Sequence, residues 1–190
     1  MSDIGPFSAR LGGATGISHY SAKVERRLSD LREYFHDGDL VEKMLQKGEN
    51  PVIYEVYEVA QKPVEGVFNV GTTVIYPGKI GNEYYFTMGH FHQVETATEV
   101  YLGIKGEGLI LMQDRKGKTD ALEIKPDVLV YIPPRRAHRS VNTGKSKLVF
   151  LAIYPSDAGH NYETVRTKGF AKLVVENDGK PNVVDNPNYT

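Results

Sequence analysis

Two histidines one residue apart, His90 and His92, lie in the stretch Thr87-Met88-Gly89-His90-Phe91-His92, and a carboxylate follows at Glu99. On an extended backbone, residues i and i+2 point to the same face. The two imidazoles therefore project together while Phe91 turns away. A third imidazole, His138, stands at the start of a strand after the turn Pro133-Pro134. Together these groups form a mixed nitrogen and oxygen donor set. Such a set suits Fe(II), Mn(II), Ni(II) or Zn(II), and an octahedral ion held by it would keep positions open for substrate. Taken alone, His-x-His fits two solvated histidines on a half-exposed strand equally well. The spaced Glu99 and the segment Pro133-Pro134-x-x-Ala137-His138-x-x-x-Asn142 favour the metal.

The chain around these residues has 190 amino acids, enough for one domain with a sizeable core. Lys and Arg number 23 against 24 Asp and Glu, a net charge of −1 that gives no basic footprint for nucleic acid. There is no cysteine, so disulfides and thiolate ligands are excluded and any metal must be held by His and carboxylate. No apolar run has the length of a membrane span, and the first residues lack the charged and apolar regions of a signal peptide. A cytoplasmic protein without nucleic-acid or membrane partners is expected.

The elements that must position the histidines change character at Pro51. Before it, Gly12-Gly13-Ala14-Thr15-Gly16 lacks the Gly-Lys-Ser/Thr of a phosphate-cradling loop and reads as a turn. Ser29-Asp30 caps an expected helix starting near Leu31, with Leu31, Tyr34 and Phe35 at helical spacing. Asp37-Gly38-Asp39 interrupts, and a second helix runs from about Leu40 to Gln46, stopped by Gly48. His19 and His36 have no second ligand nearby and read as ordinary histidines.

From Pro51 onward, short runs of aromatic and β-branched residues predict strands over 52–59, 71–76, 84–87, 99–104, 109–112, 121–124, 128–132 and 147–154. Gly106-Glu107-Gly108 reads as a hairpin turn. A C-terminal hairpin over 172–176 and 182–184 adds an edge, where Pro181 is tolerated. This is the pattern of an all-β antiparallel barrel or double-sheet sandwich. The single domain, 1–190, divides into an arm with helices to about 50, a barrel from about 51 to 170, and the hairpin from about 171.

His90-x-His92, Glu99 and Gly106 resemble the first cupin motif, and Pro133…His138-x-x-x-Asn142 resembles the second. Within the cupins, the stretches 87–92, Glu99-Val100-Tyr101, 133–139 and Ala152-Ile153-Tyr154-Pro155-x-Asp157-Ala158-Gly159-His160 resemble the archaeal-type, metal-dependent glucose-6-phosphate isomerases. The likeness extends to Arg27-Leu28-Ser29-Asp30, 51–57, 72–78 and 183–187, and so to nearly the whole chain. Three departures from the general cupin pattern stand out. Six residues separate His92 from Glu99, a longer gap than in most cupins but one that matches the isomerase branch. Asp127 stands where glycine is usual, and Asp tolerates the left-handed turn geometry required there. Arg135-Arg136 replaces expected aromatic residues, leaving that loop's share in the pocket open.

The resemblance implies a cupin double-sheet barrel of jelly-roll type with short N-terminal helices, assembled as a homodimer. It implies one divalent ion per subunit, Fe(II) before Mn(II), Ni(II) or Zn(II), held by His90, His92, Glu99 and His138. The implied reaction interconverts glucose 6-phosphate and fructose 6-phosphate, in glycolysis and gluconeogenesis. Negative charge develops over O1 and O2 as hydrogen leaves carbon, and a cation chelating both oxygens would stabilise a cis-enediolate. Glu99 is the base by position, yet a ligated carboxylate is a weak base. Either it partly leaves the metal, or hydrogen moves as hydride. Tyr101 shares the face of Glu99 and orients it or bonds a sugar hydroxyl. Tyr154 and His160 match positions near the open-chain sugar, with His160 moving the O5 proton. Thr73, Thr87 and the Gly89 backbone supply neutral donors to the phosphate, while Tyr54 and Tyr162 close the site. The rival readings are a mannose-6-phosphate-type cupin isomerase, a cupin dioxygenase and a non-catalytic sugar-binding cupin.

Overall fold

In the computed structural model, which describes residues 5–12 and 16–189, β1 (Leu11–Gly12) pairs with β2 (Gly16–Ile17). The middle of the expected glycine turn, residues 13–15, lies outside the described residues. β3 (Ala22–Arg27) follows, a strand the sequence reading passed over. The expected helix from Leu31 is instead one 3-10 turn, Leu28–Leu31. Asp30 sits inside this turn, where its carboxylate accepts the Arg27 N–H at 2.8 Å. Leu31 and Phe35 are buried nonetheless, as their spacing requires. Helix α1 (Gly38–Gln46) starts two residues earlier than expected because the Asp37 carboxylate caps the Leu40 N–H at 2.9 Å. Gly48, at φ 79°, ends it.

The remaining elements are β4 (Val52–Val59), β5 (Phe68–Ile75), β6 (Lys79–Ile80), β7 (Glu83–Tyr84), β8 (Glu99–Lys105) and β9 (Gly108–Gln113). Then come β10 (Thr119–Ile124), β11 (Leu129–Ile132), β12 (Ala137–Asn142), β13 (Leu148–Pro155), helix α2 (Glu163–Lys168), β14 (Lys172–Asn177) and β15 (Lys180–Asp185). The main antiparallel sheet runs β11-β8-β13-β5-β4-β3, and β10-β9-β12 forms the facing sheet. These are the two walls of a cupin double-sheet barrel. The C-terminal hairpin β14-β15 joins β7 and β6 in a third sheet, with β15 and its Pro181 at the edge.

Two expectations change. Gly106-Glu107 does not close a hairpin, because β8 and β9 belong to different sheets. It is a corner, and a Cβ on Gly106 would stand 2.4 Å from the Lys147 carbonyl. The predicted strand over 84–87 ends at Tyr84. Beyond it the chain makes only isolated bridges, Phe86 to Val141, His90 to His138 and Phe91 to Asn161.

Alternation sorts the main sheet into two faces. On β8, Glu99, Tyr101 and Gly103 are buried, while Val100, Leu102 and Ile104 are half-buried on the other side. The inner face packs Ile75, Phe150 and Ile132 with Phe86, Ile110 and Phe170, all at 1 % exposure or less. Burying each such side chain contributes about 1.5–3 kcal/mol against chain entropy. Ile17 of the N-terminal arm covers part of the outer face, against Tyr57, Val59, Val74 and Val149. Elsewhere Phe68, Leu129 and Tyr131 remain 56, 63 and 52 % exposed. Among the described residues, no helix is long and apolar enough to cross a membrane.

Candidate active site

The Thr87–His92 segment is held against β12 by backbone bonds. Thr87 N–H donates to the Ser140 carbonyl at 2.9 Å, and His138 N–H to the His90 carbonyl at 3.1 Å. Gly89 lies between them at φ 75°, in the left-handed region. A Cβ there would stand 2.8 Å from the Phe170 ring and 2.9 Å from the His138 carbonyl, so only glycine fits. The segment is therefore bent rather than a regular strand. It still sets the His90 and His92 rings side by side, with centroids 5.4 Å apart. Glu99 opens β8 and His138 is the second residue of β12. One donor atom from each of the four residues lies within 4.8 Å of the others.

The four donors fit a metal. His90 Nε2, His92 Nε2, His138 Nε2 and Glu99 Oε2 are all buried without a hydrogen-bond partner. His138 Nε2 comes within 2.9 Å of Glu99 Oε2, an ion-pair distance, but off the direction of a ring N–H bond. Four converging buried donors left unpaired cost several kcal/mol, on the order of 1–3 each, unless a cation joins them. On the far side of two rings, His92 Nδ1 faces the Gly159 carbonyl at 3.4 Å and His138 Nδ1 faces the Arg136 carbonyl at 3.4 Å. A proton on Nδ1 would turn the Nε2 lone pair toward the cluster. Burial, aided by the neighbouring His138, pushes His90 well below the usual imidazole range and His92 down to about 4. Both are neutral near pH 7, the form that ligates.

A cavity of about 180 Å³ opens from this cluster. It collects Tyr54, Thr73, Thr87, Gly89, His90, Glu99, Tyr101, His138, Tyr154, His160 and Tyr162, with His92 adjoining in the cluster. The twelve residues assigned to the metal, the catalytic groups and the phosphate subsite in the sequence analysis are thus brought to one place. Strand alternation explains the sheet contributions: Tyr54 on β4, Thr73 on β5, Tyr101 on β8 and Tyr154 on β13 all point inward. Thr87 Oγ1 accepts the Ser140 N–H at 3.1 Å, which leaves its own proton free to donate. His160 lies edge-on to His90 at 4.3 Å between centroids, and stacks on Tyr162 at 5.7 Å. Burial lowers the His160 pKa, and Glu99 and Glu58 partly offset this. Burial and Glu99 push Tyr101 far up, so its hydroxyl stays a donor.

Three polar lining residues were not foreseen. Glu58 follows Tyr54 and Val56 on the inward face of β4 and takes a hydrogen bond from the Tyr154 hydroxyl. Ser140 sits two residues past His138 on β12. Arg26 enters from β3, beside Tyr54 in the strand register. Period-2 counting from Tyr54 and His138 marks Glu58 and Ser140, whereas Arg26 needed β3 to be recognised. Arg135 and Arg136 stay outside the pocket and pair with Glu95 and Asp120. Asp127 takes the left-handed turn at φ 67°. Asn142 is structural: its amide donates to the Ile75 and Ser146 carbonyls at 2.9 Å each. His19 and His36 lie away from the cluster, bonded to Ser18 and Asn188.

The profile of the family described as glucose-6-phosphate isomerase (GPI) matches residues 25–190. The chain is 47% identical over 184 residues to the glucose-6-phosphate isomerase of Thermococcus litoralis, covering 97% of this chain and 96% of that one. It is 49% identical over 175 residues to that of Thermococcus kodakarensis, covering 92% of each, and 47% over 184 residues to that of Pyrococcus furiosus, covering 97% of each. An oxalate oxidase in complex with the substrate analogue glycolate overlays 54% of this chain and 49% of its own at TM-score 0.44 and 18% identity. With the family's profile running through the barrel and all four residues of the donor cluster, and nearly half the residues shared along the full length of these relatives, the chain belongs to the glucose-6-phosphate isomerase family.

Proposed function

We infer that this protein is a glucose-6-phosphate isomerase, interconverting glucose 6-phosphate and fructose 6-phosphate with one divalent ion per subunit. The observation that carries the reading is the single cavity shared by the four unpaired donor atoms and by an array of hydroxyl donors, in a chain of this family. When bound, a divalent cation polarises O1 and O2 of the open-chain sugar and stabilises charge that develops on them. Three imidazoles with one carboxylate suit Fe(II), Mn(II), Ni(II) and Zn(II) alike, and the family resemblance puts Fe(II) first.

The protein's own groups divide the remaining work. Glu99 stands at the junction of metal cluster and cavity, positioned to take hydrogen from C1 or C2 as a proton. The Tyr101 hydroxyl, two residues along the same face, holds the carboxylate and stays protonated while doing so. His160 is neutral, so as the ring opens it can take the O1 hydroxyl proton and deliver a proton to O5, and reverse both transfers as the ring closes. Tyr154, tied to Glu58, presents its oxygen to the sugar. Thr73, Thr87 and the Gly89 backbone hold the phosphate, and Tyr54 and Tyr162 flank it. Removing the cation should abolish interconversion, and restoring single metals should recover it. Turnover that persists in metal-free protein would overturn this reading, and mannose 6-phosphate in the same assay tests the C2 stereochemistry.

The homodimer has its support in the outer face of the main sheet. Phe68, Leu129 and Tyr131 lie exposed there beside the half-buried Val100, Leu102, Leu151 and Ile153. A contiguous apolar sheet face of this kind is what a two-fold partner would cover. A charged, phosphorylated substrate that membranes retain supports cytoplasmic residence.

A further inference from the structure

We propose that Arg26 is the cation that binds the substrate's phosphate. The proposal builds on the isomerase reading and adds a charge to a subsite otherwise composed of neutral donors. On β3, Val24 and Arg26 line the cavity. The strand's other cations are already matched: Lys23 Nζ lies 2.7 Å from Glu55, and Arg27 Nη2 lies 2.7 Å from Glu25. Arg26 makes no ion pair among the described residues, and its one hydrogen bond is a 3.5 Å contact to the Glu25 carbonyl. Its direct partner in the strand register is Tyr54, whose hydroxyl faces the Met88 backbone between Thr87 and Gly89. The Arg26 charge is felt at the hydroxyls of both Tyr54 and Tyr162.

Charge balance gives the physical reason. The cavity already contains Glu58 and Glu99, and a sugar phosphate brings up to two more negative charges into the same space. A divalent cation in the cluster offsets two of these four negative charges and leaves the other two unmatched. The nearest other guanidinium, Arg139, is fully enclosed: it stacks on Phe86 and Phe170 at 4.0 and 4.6 Å and donates to the Met88 carbonyl at 3.0 Å. It braces the Thr87–Gly89 loop from behind and does not line the cavity. Arg26 is half-buried at the cavity wall, unpaired, and built with the planar fork that matches phosphate oxygens.

The test compares wild type with Arg26→Gln and Arg26→Lys, each loaded with metal. For Arg26→Gln the KM for fructose 6-phosphate should rise about 10–100-fold, the range of one lost charge-assisted bond, with kcat changed by less than about threefold. Inhibition by inorganic phosphate should weaken in parallel, and Arg26→Lys should recover much of both. Unchanged KM and unchanged phosphate inhibition in the glutamine variant would overturn the proposal. A separate arm measures the rise in Tm caused by inorganic phosphate, which needs no turnover. A rise present in wild type and absent in Arg26→Gln supports the assignment, while equal rises defeat it. If wild type itself fails to convert fructose 6-phosphate, the isomerase reading falls and the phosphate arm still decides on Arg26.

Discussion

Replacing Glu99 by glutamine should act in opposite directions on the metal-free and the metal-loaded protein. Glu99 is 4 % exposed, and its Oε2 lies 2.9 Å from His138 Nε2 and 3.6 Å from His92 Nε2 without a hydrogen bond to either. Without a cation, an ionised carboxylate in that position is a buried charge with no full partner. Glutamine removes the charge and keeps the shape, so the metal-free variant should be as stable as wild type or more stable, by about 1 kcal/mol. With a cation, glutamine removes the only anionic donor, and affinity should fall by on the order of 100-fold, the upper end of what outer-shell changes already cost. At a free metal concentration of about 1,000 Kd, wild type gains about 4.1 kcal/mol; the variant, at about 10 Kd, gains about 1.4 kcal/mol. The difference of about 2.7 kcal/mol, at about 2–4 °C per kcal/mol for a chain of this size, shrinks the metal-induced rise in Tm by about 5–11 °C. The assay is thermal unfolding of chelated and reloaded protein at one fixed free metal concentration. Equal metal-induced rises in both proteins would refute the assignment of Glu99 as a ligand, and a metal-free variant several degrees less stable than wild type would refute the electrostatic argument.

Other perturbations separate the parts of the site. Gly89→Ala forces a methyl group against Phe170 and the His138 carbonyl at a left-handed backbone position, costing on the order of 1–3 kcal/mol. Both metal content and KM should suffer together, because the same bend places His90. Tyr154→Phe leaves Glu58 without its donor and should lower kcat/KM about tenfold, and adding Glu58→Gln should cost little more if the pair acts as a unit. Glu83 provides a pH test outside the site. Burial raises its carboxyl to about 7, opposed by the His36 N–H at 2.9 Å and by Arg139. The folded protein therefore holds this proton more tightly than the unfolded chain. Its contribution is greatest below the ordinary carboxylate pKa of about 4.3 and declines by up to about 3 kcal/mol as pH rises to about 7. Tm measured from pH 5 to 8 should fall less steeply for Glu83→Gln than for wild type.

How much of this was legible in the sequence depended on whether a residue obeyed a period. β4 is a run of β-branched and aromatic residues from Val52 to Val59, interrupted only by Glu55 and Glu58, and its predicted bounds match the strand. The histidine pair was found from spacing alone, although the backbone there bends at Gly89 and meets β12 only at isolated bridges. Bent or straight, an extended segment sends i and i+2 the same way. β3 was missed because Lys23, Glu25, Arg26 and Arg27 make it look like a solvated stretch. Its outer face is indeed a row of ion pairs, and its inner face puts a cation into the cavity, so charge content concealed the strand that matters to phosphate. The helix at Leu31 failed for a different reason. Leu31 and Phe35 have helical spacing because both must reach the core, and a 3-10 turn followed by loose turns brings them there as well.

The origin of the four donors has a consequence for how the enzyme is made. Glu99 comes from the six-stranded sheet, His138 from the facing sheet, and His90 and His92 from the bent segment that crosses between them. No fragment of the chain shorter than the stretch from His90 to His138 contains the set, and the set converges only once both walls have closed. If the cluster holds a metal as proposed, the ion would be captured by the closed barrel, and its binding would add to that barrel's stability. The ion that entered would then be chosen in the compartment where the barrel closes, from whichever divalent cations are free there at that moment. Two cells expressing this same sequence could thus hold enzymes carrying different metals, with the difference written in the cells' metal pools and nowhere in the protein.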